Sequence, residues 1–199
     1  MLYISYKNDY TDNNEDERKK KVIEFLENIL LDKKIETIII QDPYLYGDNF
    51  FEIFINQAKE VTDLNIEDLG IWDNLLYKLS DLDEDENEKN IKIVSTKKDG
   101  IGDIRNTNYK KLKFSIFLGK RNTRNLPFVE KIHDRFILLK TFNNIFSGIH
   151  ISLSLNDIIK KDILLTVISE KISRELFYKL ENKFNQGENN NEWQIYRGY

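Results

Sequence analysis

The stretch IETIIIQDPY, residues 35–44, decides the fold. Residues 15–33 before it place Val22, Phe25, Leu26, Ile29 and Leu30 at steps of three and four, the stripe of an amphipathic helix. At Ile35 that rhythm stops, and a β-branched run continues to Ile40 before it ends at Asp42-Pro43. A continuous Ile-rich strand belongs in the buried centre of a sheet with helices on both faces. After the turn, GDNFFEIFINQAKE resumes a helical period, with Asp48 or Asn49 as its cap, and predicts a helix over 47–58. Helix, buried strand, turn and helix suggest an α/β or α+β sandwich, and the expectation is the α/β class, a mixed sheet flanked by helices on both faces.

The rest of the chain extends that pattern. Residues 59–90 read as an insertion, a short helix in LGIWDNLLYKL followed by the acidic loop SDLDEDENEKN. The acidic run lacks the alternating ligands and central glycine of a calcium loop, so a solvated loop is expected. Strands are expected at 91–96, 112–119, 131–139, 145–154 and 162–169. A closing helix is expected at 170–184, with Ile172, Leu176 and Leu180 on one face. Residues 185–199 form a polar tail whose Trp193 and Tyr196 are placed to dock back onto the body. No internal repeat and no Gly/Ser- or Pro-rich linker divides the chain, so residues 1–199 are expected to form one domain.

Composition narrows the function classes. Of 199 residues, 40% are hydrophobic, with twelve Phe and ten Tyr, enough for a core. Charged residues make up 32% and the net charge is −4, which excludes a histone-like basic protein but not a local basic groove. No apolar run approaches a membrane span and the first twenty residues lack a signal-peptide core, so the expectation is a cytoplasmic protein without a membrane partner. There is no cysteine, which removes thiolate zinc sites and cysteine nucleophiles. With only two histidines and no clustered carboxylate spacing, no metal or other cofactor is expected.

Those two histidines are His133 and His150, and the first lies in KIHDRFILLK, residues 131–140. Side chains two apart on a strand share a face, so His133 and Arg135 point the same way while Asp134 and Phe136 point the other. Imidazole beside guanidinium suits a phosphate: arginine grips two oxygens in a fork, and a neutral imidazole nitrogen attacks phosphorus or moves a proton. Downstream, Ser152, Ser154 and Asn156 alternate in the same manner and would complete a phosphate cradle. The plainer alternative is a half-exposed strand whose histidine is satisfied by a neighbour.

The Ile-rich strand ending in DPY, the HDRFILL strand, and SLSLND followed by KKD resemble the phospholipase D-like superfamily, in particular its compact single-motif bacterial members, many of them nucleases. The resemblance spans about residues 35–169, and its most specific part is the HDRF to SLND to KKD block. The family motif is His-x-Lys, four residues, Asp, then Gly-Ser-x-Asn. The resemblance implies His133 as nucleophile, Arg135 in place of the lysine, and Ser154 and Asn156 as the serine and asparagine, with Leu153 where glycine is usual. The motif aspartate falls on Lys140, a reversal of charge, and Asp134 cannot replace it because it faces the other side of the strand.

The family mechanism uses two histidines. His150 shares the parity of Ser152 and Ser154, but an ordinary strand histidine is the preferred reading. Single-motif relatives join two chains about a twofold axis, so the resemblance implies a homodimer with one shared site. The resulting expectation is a metal-independent phosphodiesterase, a nuclease acting on DNA or RNA through a phosphohistidine. Asp42 and Tyr44 would sit at the rim of the cleft, or form only a structural turn. Lys120, Arg121 and Arg124 in GKRNTRN, with Lys160 and Lys161, would track a nucleic-acid backbone, or remain solvated charge. Two other classes stand beside this one. The first is an inactive dimerisation or binding module with a protein partner in a larger, defence-related assembly. The second is a phospholipid headgroup hydrolase, ranked lower because no basic amphipathic helix leads to a membrane.

Overall fold

The computed structural model describes residues 1–4, 14–30, 34–42, 89–95, 112–119, 134–153, 161–189 and 193–198. Their elements, in chain order, are β1 (Leu2–Ile4), α1 (Asn14–Leu30), β2 (Ile35–Gln41), β3 (Lys89–Ser95), β4 (Leu112–Gly119), β5 (Arg135–Thr141), β6 (Phe146–Ile151), β7 (Ile163–Ile168), α2 (Glu170–Asn189) and β8 (Trp193–Gly198). The strands form one mixed sheet of eight, in the order β1-β7-β6-β5-β2-β3-β4-β8. The class is α/β, as the Ile-rich run predicts. The helix expected over 47–58 and nearly all of the insertion at 59–90 lie outside the described residues.

β2 is the centre of the sheet because its side chains suit burial on both faces. Ile38, Ile39 and Ile40 are each almost fully buried although successive residues point to opposite sides. β2 pairs with β3 in parallel and with β5 in antiparallel fashion, Ile39 opposite Leu138 and Ile40 opposite Ile137. Of the 131–139 segment, the part in β5 therefore joins the same sheet as 35–41, directly beside it, and residues 131–133 lie outside the described residues. β3 and β4 continue in parallel, while β5, β6 and β7 run antiparallel to their neighbours. The β5–β6 hairpin turns through Asn144, whose φ of 59° is one that asparagine tolerates better than most residues. Thr141 Oγ1 accepts the Ile145 N–H there at 3.1 Å.

α2 covers one face of the sheet. α2 buries Phe177, Leu180 and Phe184 against Ile39, Val94, Leu138 and Phe146, with Leu176 partly buried beside them. The stripe differs from the Ile172–Leu176–Leu180 face expected from the sequence: Ile172 is about half exposed and Ser173 takes the buried place. Gly148 explains this. A Cβ there would lie 2.9 Å from both Leu138 Cδ2 and Ser173 Oγ, so only glycine lets the first turn of α2 come this close to the sheet. Ser169 caps the helix, accepting the Ile172 N–H on its hydroxyl at 3.4 Å. α1 buries Arg18, Val22, Leu26 and Leu30, each four residues from the last. That stripe is separate from the α2 cluster and fits the other face, where Ile38, Ile40, Ile137 and Leu139 are buried.

Two edges depart from the sequence expectation. The polar tail at 185–199 instead lengthens α2 to Asn189 and adds β8, which pairs with β4 from Trp193–Gly119 to Gly198–Phe114. Trp193 and Tyr196 thus belong to an edge strand. The first residues add β1 against β7, and Tyr3 donates its hydroxyl to Asp162 at 3.0 Å. No described helix is long and apolar enough to cross a membrane.

Candidate functional site at the carboxyl edge of the sheet

Strand directions bring the chemistry to one edge. The carboxyl ends of the parallel strands β2, β3 and β4 lie together, and the antiparallel pairing brings the start of β5 to the end of β2. At β2 the strand order reverses: β3 and β4 follow on one side, and β5, β6 and β7 on the other. In open α/β sheets, ligands gather outside the carboxyl ends of strands at such a reversal.

Asp42 and Arg135 meet there. Because Gln41 is opposite Phe136 in the register, the next residue along β2 is level with the one before Phe136. The Asp42 N–H donates to the Val94 carbonyl at 3.1 Å, extending the β2–β3 ladder by one residue. Its side chain is 1% exposed and lies 3.5 Å, Oδ1 to Nε, from an Arg135 side chain that is 12% exposed. That distance is an ion pair rather than a short hydrogen bond. A buried carboxylate needs such a partner, since an isolated ion costs several kcal/mol to desolvate. Asp42, read from the sequence either as a rim residue for substrate or as part of a structural turn, is buried against the guanidinium. On the other side of the backbone, Gln41 Nε2 donates to the Asp134 carbonyl at 2.8 Å. Sequence reading passed over Gln41. Its signal was an amide closing an apolar strand, which must find a partner when buried.

Two other polar residues of the region are committed elsewhere. His150 is opposite Phe136 on the next strand, their ring centroids 5.2 Å apart. Phe136 packs against the α2 cluster, so His150 lies on that face and Arg135 on the opposite one. The structure does not bring His150 to Arg135. Ser152 closes the β6–β7 pairing: its N–H donates to the Leu164 carbonyl at 3.0 Å and its Oγ accepts the Leu164 N–H at 2.9 Å.

Lys140 has a structural explanation. Five residues along β5 from Arg135, it is about 17 Å away and on the opposite face. Its Nζ is 2.9 Å from Glu36 Oε2 on β2. Glu36 is the extra residue where the β2–β5 register shifts between Ile35 and Thr37, which lets it reach the lysine that pairs with Thr37. The sequence could not reveal this partner, because the bulge that creates it is visible only in the register.

His133, Ser154 and Asn156, with Tyr44, Lys120, Arg121, Arg124 and Lys160, lie outside the described residues. Lys161 is exposed, and its carbonyl accepts from Arg18 Nη2 at 2.8 Å. Among the described residues, no group of three or more His, Asp or Glu side chains gathers into a metal site. No protein-family model, curated protein or solved structure matches the chain.

Proposed function

We propose that the chain is a phospholipase D-like, metal-independent phosphodiesterase, a nuclease acting on DNA or RNA in the cytoplasm. The observation that supports this reading is the Arg135–Asp42 pair. It holds a guanidinium, two residues after His133, at the switch point of the sheet, where ligands of such folds gather. The block from HDRF to SLND supplies the rest. Lys140, the departure that weakens the motif, is on the other face and bound to Glu36, so its charge does not enter the edge where Arg135 lies.

In this reading an imidazole nitrogen of His133 attacks phosphorus and the bond from phosphorus to the leaving oxygen breaks. That oxygen takes a proton from His133 of a second protomer in a twofold dimer. Water then attacks the phosphohistidine, gives its proton back to the same imidazole, and the P–N bond breaks. Arg135 neutralises the charge that grows on the non-bridging oxygens, and Ser154 and Asn156 hydrogen-bond them. Lys120, Arg121 and Arg124 follow the backbone beyond the cleaved bond.

The test is cleavage of labelled single- and double-stranded DNA and RNA in excess EDTA. Wild type is expected to cleave at least one of the four, because its nucleophile is a side chain and not a metal-bound water. His133→Ala is expected to abolish cleavage. No EDTA-resistant cleavage of any of the four overturns the reading and leaves the binding module in its place.

A further inference from the structure

At the carboxyl edge the arginine is held beside an acid. Asp42 Oδ1 lies 3.5 Å from Arg135 Nε, with Asp42 buried and the Arg135 side chain 12% exposed. As an ion pair the two carry no net charge, whereas a guanidinium alone draws every anion more strongly the more charge it bears. A singly charged phosphodiester already offers the two oxygens that the fork of an arginine grips. The second charge of a phosphomonoester adds attraction to Arg135 and repulsion from Asp42. A phosphate on the guanidinium lies closer to that carboxylate than a Debye length, about 8 Å at physiological salt, and buried charges are screened less than exposed ones.

We propose that Asp42 is a specificity-determining residue: it offsets the charge of Arg135, so that the edge takes a singly charged phosphodiester in preference to a doubly charged phosphomonoester. A linkage within a nucleic-acid chain is then favoured over a terminal phosphate. This role rests on the reading of Arg135 as a phosphate ligand, but it is tested by binding and needs no cleavage.

Thymidine monophosphate and its methyl ester differ by one methyl group and, at about pH 8, by one charge, since the second phosphate pKa is about 6. Binding of each is followed by NMR on the Nε–H signal of Arg135, assigned by its loss in Arg135→Lys. In wild type the methyl ester is expected to bind at least as tightly as the monophosphate. Asp42→Asn keeps the shape of the side chain and removes its charge. There the ratio of the two affinities is expected to move about tenfold toward the monophosphate, the scale of one charge pair a few ångströms apart near a protein surface. A loss of stability does not move this ratio, because both probes bind the same folded protein. A monophosphate that binds wild type more tightly than the ester overturns the proposal, and so does a folded Asp42→Asn with the wild-type ratio. Should Asp42→Asn not fold, the wild-type ratio decides alone. If neither probe moves the Arg135 signal, Arg135 is no phosphate ligand, and the proposal and the phosphodiesterase reading fall together. If the ratio moves as expected but no nucleic acid is cleaved, the role of Asp42 stands and the phosphodiesterase reading fails.

Discussion

Asp42 is buried against the Arg135 guanidinium, so a change at either residue is expected to be felt by the other. Arg135→Ala removes the guanidinium from beside a buried carboxylate and is expected to lower stability by roughly 3 kcal/mol. Asp42→Asn combined with Arg135→Ala should lose less than the two single changes added together, as chemical denaturation of the four proteins would show. Additive losses would mean the pair is not coupled. Activity measured on Arg135→Ala must therefore be read beside its stability. At this scale the sequence revealed residue types but not partners. His133 and Arg135 stand out two residues apart because spacing and chemistry are local. Asp42 with Arg135, Gln41 with Asp134 and Lys140 with Glu36 are each joined across some ninety to a hundred positions of chain, and no local rule predicts them.

Elements were legible wherever hydrophobic periodicity was strong. The Ile-rich β2 and the stripe of α1 are where their side chains predict, since burial on two faces and on one face leave different patterns. The buried face of α2 was misread because its register is set by Gly148 on another element. Gly148→Ala is expected to cost about 1–3 kcal/mol, since the new methyl meets Leu138 and Ser173 at once. An unchanged unfolding midpoint would mean that α2 can shift to make room. β1 and β8 escaped notice because strands at a sheet edge need only one neighbour and little apolar alternation. The bulge at Glu36 carries its own expectation. Lys140→Asp sets two carboxylates together and should cost about 1 kcal/mol, while the swap Glu36→Lys with Lys140→Glu should recover most of it in thermal melts. A Lys140→Asp protein as stable as wild type would show that the pair contributes nothing.

Across the whole molecule, the direction of each strand decides what can meet. Parallel β2, β3 and β4 end where antiparallel β5 begins, and this gathers Gln41, Asp42 and Arg135 at one edge from separate parts of the sequence. A phosphodiester chain crossing that edge would meet the guanidinium held by Asp42, which in the sequence follows by two residues the histidine on which the proposed chemistry depends. The measurement that tests this most directly is a rapid acid-free quench of the protein with a labelled oligonucleotide in excess EDTA, followed by peptide mass spectrometry. The account expects a phosphoryl-linked nucleotide on the peptide containing His133, absent from His133→Ala. No adduct during EDTA-resistant turnover, or an adduct on His150 instead, would contradict it.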